Sequence, residues 1–168
     1  MSTLIANTLQ GINTIKYDAS TTAMNINSAG ILTKPNHPSF SAHEPNGDQT
    51  GVLTFQNITT NIGNHYNGST GRFTAPVAGN YYFNFHAMSA SSIGTSQDIR
   101  AKFLINNASH ASGEHYGGVL YADGANYIQV SMATVLNLNV NDHVSVEWQS
   151  GYNALHSDHN MFCGFLIG

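Results

Sequence analysis

The sequence predicts an all-β sandwich, and three observations carry that reading. No stretch sustains a helical period. Apolar residues instead alternate with polar ones along several runs, as they do in strands with one buried face. Turn dipeptides separate runs of this kind: Asn46-Gly47, Asn67-Gly68 and Asp123-Gly124, whose residues tolerate positive φ.

The elements follow in order. In residues 1–37, Thr14-Ile15-Lys16-Tyr17-Asp18 reads as a short strand and Met24 to Thr33 as a small hairpin. A segment this short lies below the ~40 residues at which a core becomes self-sufficient. It is expected to be an arm that borrows stability by docking, trimerising or binding another protein. Pro35 and Pro38 fix an extended junction, and a single head domain is expected over residues 38–168. Within the head, Ala101, Phe103 and Ile105 alternate with Arg100, Lys102 and Leu104. From Tyr127 to Val140, Ile128, Val130, Met132, Leu136, Leu138 and Val140 alternate with Gln129, Ser131, Asn137 and Asn139. Asn141-Asp142 then turns the chain into Val144, Val146 and Trp148. Two strands break the rule: Tyr81-Tyr82-Phe83 and Phe162 to Ile167 are apolar on both faces. One face of each belongs to the core, and the other needs a cover. The pattern leaves open which of Tyr81 and Tyr82 faces that cover.

Composition narrows the function classes. Of 168 residues only 8% are charged, and the formal net charge is −4. An ordinary soluble domain carries ~25% charged residues. Either further copies cover part of the surface, or Asn, Ser and Thr supply its polarity. No basic cluster is present, which disfavours nucleic-acid binding. No apolar run approaches the ~20 residues of a membrane-spanning helix. The opening residues Met1 to Asn7 lack the basic region and apolar core of a secretory signal, so synthesis in a cytoplasm is expected. The sequons at Asn57, Asn67 and Asn107 then read as products of an Asn-rich composition. Cys163, the single cysteine, excludes an intrachain disulfide and reads as an inert thiol in an apolar strand.

Catalytic chemistry finds little support. His156-Ser157-Asp158-His159 is the densest group among nine histidines. Two imidazoles and a carboxylate suit a transition metal, yet neighbours in one loop seldom close a tetrahedral site. They read as surface residues of a polar loop, as do His110 and His115. No Gly-X-Ser-X-Gly elbow and no phosphate-cradling glycine loop occurs, and no enzyme is expected.

The run from Phe55 to Phe85 carries a resemblance. Phe55, Asn61, Tyr66, Phe73, Gly79, Tyr81, Phe83 and Phe85 stand at the spacing of the globular head of complement component one-q, and the match extends from about Pro38 to the end. The resemblance implies a ten-stranded jelly-roll sandwich of the tumour necrosis factor type, homotrimeric and non-enzymatic, preceded here by the short β-containing arm. It also implies that the two doubly apolar strands lie in the inner sheet around the trimer axis. Tyr81, Tyr82, Phe83, Phe85, Phe162 and Phe165 form the expected interface set. By the family's strand order the loops 88–97, 122–126 and 151–160 lie at the apex. Asn126, Tyr152, Asn153 and His156 are the ligand-binding candidates there, suited to sugar stacking and hydrogen bonding. No cofactor is expected; calcium is the one candidate, with Asp98, Asp123 and Asp158 as weak ligand candidates.

The arm, through Asn13 to Met24 and Thr33 to Phe40, resembles leaders of tailed-bacteriophage structural proteins, notably of cyanobacterial hosts. That resemblance implies a virion-surface protein, either capsid cement or a tail-fibre-like host-attachment tip. The arm would dock on other virion proteins, and the apex would meet a host surface glycan or protein. The alternative is a bacterial or secreted trimeric adhesion or ligand-binding protein.

Overall fold

The computed structural model describes residues 10–45, 50–90, 98–109, 116–121, 127–150, 155–156 and 158–167. The chain divides into two compact units, Met1–His37 and Pro38–Gly168. In the first, strands β1 (Thr14–Lys16), β2 (Thr22–Ile26) and β3 (Leu32–Thr33) form an antiparallel sheet in that order. Asp18 closes the β1–β2 turn, its carboxylate accepting from the Ser20 and Thr21 amides at 2.9 and 2.6 Å. These bonds favour the charged form and hold its pKa down at about 2. Ile15 pairs with Met24 and Ile26 with Leu32, so one face of the sheet gathers four apolar side chains.

The second unit is all-β among its described residues. Its strands are β4 (Ser39–Pro45), β5 (Gly51–Val52), β6 (Phe55–Ile62), β7 (Tyr66–Asn67), β8 (Arg72–Thr74) and β9 (Gly79–Met88). They continue as β10 (Asp98–Ile105), β11 (Ala108–Ser109), β12 (Tyr116–Tyr121), β13 (Gln129–Leu138), β14 (His143–Ser150) and β15 (Met161–Leu166). Five form one antiparallel sheet in the order β13-β9-β15-β4-β6. The other sheet runs β11-β10-β14-β8-β7, with β12 also on β10 and β5 also on β14. Among the described residues the head has twelve strand segments, of which β5, β7 and β11 are only two residues long. The first and last strands of the head lie side by side, and Leu166 N–H donates to Pro38 C=O at 3.0 Å.

Alternation decides what enters the space between the sheets. On β9, Tyr81, Phe83, Phe85 and Ala87 are fully buried, while Tyr82, Asn84, His86 and Met88 lie on the opposite face. On β13, Val130, Met132, Leu136 and Leu138 point inward. From the facing sheet come Phe73, Phe103, Val144, Val146 and Trp148. Phe40 sits at the centre, with Tyr66 stacked at 4.6 Å, Phe73 at 5.1 Å and Phe162 edge-on at 4.8 Å between ring centroids. Such pairs add about 0.5–1.5 kcal/mol each beyond the area they bury.

The aromatic signature is therefore a packing and turn code. Phe55, Tyr66, Phe73, Tyr81, Phe83 and Phe85 are core residues. Asn61 clamps the turn after β6: its Nδ2 donates to Tyr66 C=O at 2.8 Å, and its Oδ1 accepts from Tyr66 N–H at 3.0 Å. Tyr81 Oη donates to Val77 C=O at 2.8 Å, and burial raises its pKa. Gly71 adopts φ +66°, and a Cβ there would meet the Leu53 carbonyl oxygen at 1.9 Å. No other residue fits without moving the backbone.

Candidate functional site

The five-stranded sheet has one face in the core and the other outward. Register sets the outward side chains in rows across the strands. The row nearest the start and end of the head reads Val135, Tyr82, Phe165, Ser39, Ile62. The Tyr82 and Phe165 rings pack at 5.3 Å. Phe165 is 44% exposed, Val135 53% and Ile62 37%, with Ile167 exposed just beyond. A middle row of small groups follows: Ala133, Asn84, Cys163, Ser41, Thr60. The next reads Ser131, His86, Met161, His43, Asn57. The face thus grades from apolar at one end to imidazole and thioether at the other.

The expected interface set is revised by this geometry. Tyr81, Phe83, Phe85 and Phe162 are 0% exposed within one chain and have no surface to offer a second copy. Tyr82 and Phe165 lie on the outward face, with Val135, Ile62 and Ile167, which the sequence reading did not name. Gly164 makes the split possible. A Cβ on it would lie 2.5 Å from Phe83 Cδ1, so its absence lets the Phe83 ring cross onto β15.

At the other end of the face, His86, Met88, Gln129 and His159 line a cleft of about 240 Å³. Its walls are tied together. Met88 N–H donates to Asn160 Oδ1 at 2.9 Å, and His156 N–H donates to Met88 C=O at 2.8 Å. Asn160, 2% exposed, also donates from Nδ2 to His156 C=O. Ser89 bridges to Leu155, and its Oγ accepts from Ile128 N–H at 2.9 Å, fixing the start of β13. The His156 ring lies 4.4 Å from that of His159 and 6.0 Å from that of Tyr127. His156 Nδ1 accepts from Asp158 N–H at 3.2 Å. Burial, with repulsion from His159, lowers the pKa of His86.

Of the remaining candidates, Asn126, Tyr152, Asn153, Asp123, His110 and His115 lie outside the described residues. Asp98 opens β10, where its backbone pairs with Tyr121. Asp158 is exposed beside His156. Among the described residues, no three or more His, Cys, Asp and Glu gather as a metal-binding group. Cys163 is partly buried in the middle row, and burial raises its pKa.

Known proteins share this architecture. The C1q domain profile matches residues 39–167. Complement C1q tumor necrosis factor-related protein 3 of Mus musculus is 32% identical over 132 residues, which cover 77% of this chain and 49% of that protein. A complement C1q subcomponent of Bos taurus is 31% identical over 143 residues, 82% of this chain and 55% of that protein. The globular domain of zebrafish complement 1qA protein matches with a TM-score of 0.60 and 26% identity, over 79% of this chain and 98% of that one. The chain spans about half the length of the curated relatives it matches. The relatives overturn the expected location. They are complement C1q-family proteins of animals, not virion components, and the placement in a bacteriophage particle does not stand. Over residues 39–167 the chain belongs to the C1q domain family.

Proposed function

We propose that the chain forms a non-enzymatic, homotrimeric ligand-binding or adhesion protein, assembled through the outward face of the five-stranded sheet. The observation that carries this reading is the outward run of exposed Val135, half-buried Tyr82 and exposed Phe165, with Ile62 beyond Ser39, on a sheet whose other face is already filled. Contiguous apolar surface of this kind marks a contact site. C1q domains self-assemble into trimers, and members of the family act in recognition or structure rather than catalysis. Assembly through this face leaves the loops 88–97, 122–126 and 151–160 as the recognition surface. Asn126, Tyr152, Asn153 and His156 are the contact residues assigned from the sequence. Three linked sites bind a repetitive surface more tightly than one, by ~10²–10⁴-fold when geometry allows. The arm, with Ile15 and Leu32 exposed on a one-layer sheet, serves as a docking or tethering element.

The test is capture on immobilised glycan and cell-surface protein panels. Wild-type trimer should be retained, and Tyr152→Ala with His156→Ala should lose retention at unchanged melting temperature and mass. Equal retention by the double variant would remove these contacts from the recognition surface.

A further inference from the structure

The cleft at the histidine end of the sheet has the chemistry of a metal cradle. Two imidazoles, a thioether and a carboxamide converge there, and no carboxylate lines it. Among the described residues, neither the His86 ring nor the His159 ring is engaged in a side-chain hydrogen bond. His86 sits on β9, two residues before Met88, so both side chains leave the same face of one strand. His159 comes from the segment that the buried Asn160 ties to the Met88 amide, and Gln129 comes from the strand that Ser89 ties in place. The ligand-bearing walls are thus held by hydrogen bonds from backbone amides to the Asn160 and Ser89 side chains, as a preorganised site requires. His156 acts beside the cleft. Its Nδ1 accepts a backbone proton, which leaves the neutral ring's own proton on Nε2, and the ring packs on His159 and limits its rotation.

We propose that this cleft binds one copper(I) ion per chain through His86, His159 and the Met88 thioether. A soft thioether with imidazole nitrogens favours copper(I) over hard, oxygen-seeking ions such as calcium and magnesium. Three ligands from two imidazoles and a sulfur suffice for this ion, and no cluster of three His, Cys, Asp or Glu is needed. The site is built within one chain and does not rest on trimer assembly.

The test uses the full chain, without oxygen, titrated with copper(I) in competition with a chromophoric copper(I) chelator. The competitor strips weak sites at the other histidines. Wild type should retain one ion per chain. His86→Ala and His159→Ala should each lower affinity by at least the ~10–100-fold that loss of even an outer partner costs. His159 is exposed, so its variant folds whatever the fate of His86→Ala. Met88→Leu, close in volume, should weaken copper(I) retention while the fold is kept. Retention should fall as pH drops below the ordinary imidazole range, because protons compete for the ligands. Wild-type retention no better than that of His159→Ala, or no retention at all, would overturn the proposal.

Discussion

Phe165→Ala is the sharpest probe of the assembly face. The ring is 44% exposed in one chain and, among the described residues, its one ring contact is with Tyr82, so its removal spares the core. An aromatic side chain presents ~200 Å², which leaves about 90 Å² of this ring available for burial by a second copy. At ~25 cal/mol per Å² that amounts to about 2 kcal/mol per chain. Three chains lose it together, roughly 6 kcal/mol for the trimer. A tenfold change costs 1.4 kcal/mol, so the overall trimer dissociation constant should rise by about ten-thousandfold. Sedimentation velocity across a concentration series reads this directly. The variant should shift toward monomer at concentrations where wild type stays assembled, with an unchanged β-sheet circular dichroism spectrum. Tyr81→Ala should instead lower the melting temperature sharply, since that ring is fully buried in the chain's own core. If Phe165→Ala assembled as tightly as wild type, the outward face would not be the interface.

Four further outcomes follow from the same structure. Gly164→Ala should destabilise by about 1–3 kcal/mol in chemical unfolding, because its methyl meets the buried Phe83 ring and the Tyr82 carbonyl. Asn61→Ala should cost about 1–3 kcal/mol, since both halves of its carboxamide satisfy the Tyr66 backbone. Acid should lower the melting temperature. The folded pKa values of His65, His86 and His143 lie below the ordinary 6.5, burial being the leading cause in each. The unfolded chain therefore takes up protons first, and the contribution is intact above about pH 6.5 and lost as pH falls through the folded values. A flat melting profile between pH 7 and 5 would contradict it. Removal of residues 1–37 should leave residues 38–168 folded and assembled, checked by light scattering, because the interface row lies wholly within the head.

Much of the head was legible because strand alternation is a local signal. Val130, Met132, Leu136 and Leu138 read as one buried face from their spacing alone, and the rows of β13 follow that parity, but Val140, read with them, lies past the end of the strand and is exposed. The same parity could have separated Tyr81 from Tyr82. Tyr81, Phe83 and Phe85 share odd positions, whereas the even set contains Asn84 and His86, so the odd set had to be the core. Treating the whole run as apolar hid this, and it assigned four core rings to an interface. Val135 was missed because it lies on the outward face of its strand, among Gln129, Ser131 and Asn137. Ile62 falls in the same row, at the far edge of the sheet, only through register, and Ile167 is placed beyond Phe165 by the backbone bond from Ile167 N–H to Asn80 C=O. The histidine cleft was illegible for the same reason. His159 was grouped with its sequence neighbours, yet its partners are His86 and Met88, brought near by the Asn160 clamp between distant segments. The bacteriophage placement came from a short arm motif that carries no packing information, and the relatives of the head overturned it.

The central claim is that three chains cover the apolar row on the five-stranded sheet. Multi-angle light scattering of the full chain at micromolar concentration tests it most directly, paired with Tyr82→Glu, which places a charge in the middle of that row. The account predicts a mass of three chains for wild type and of one chain for the folded variant, because an unpaired charge in a desolvated interface is expensive. A folded, monomeric wild type, or a Tyr82→Glu trimer of undiminished stability, would contradict it.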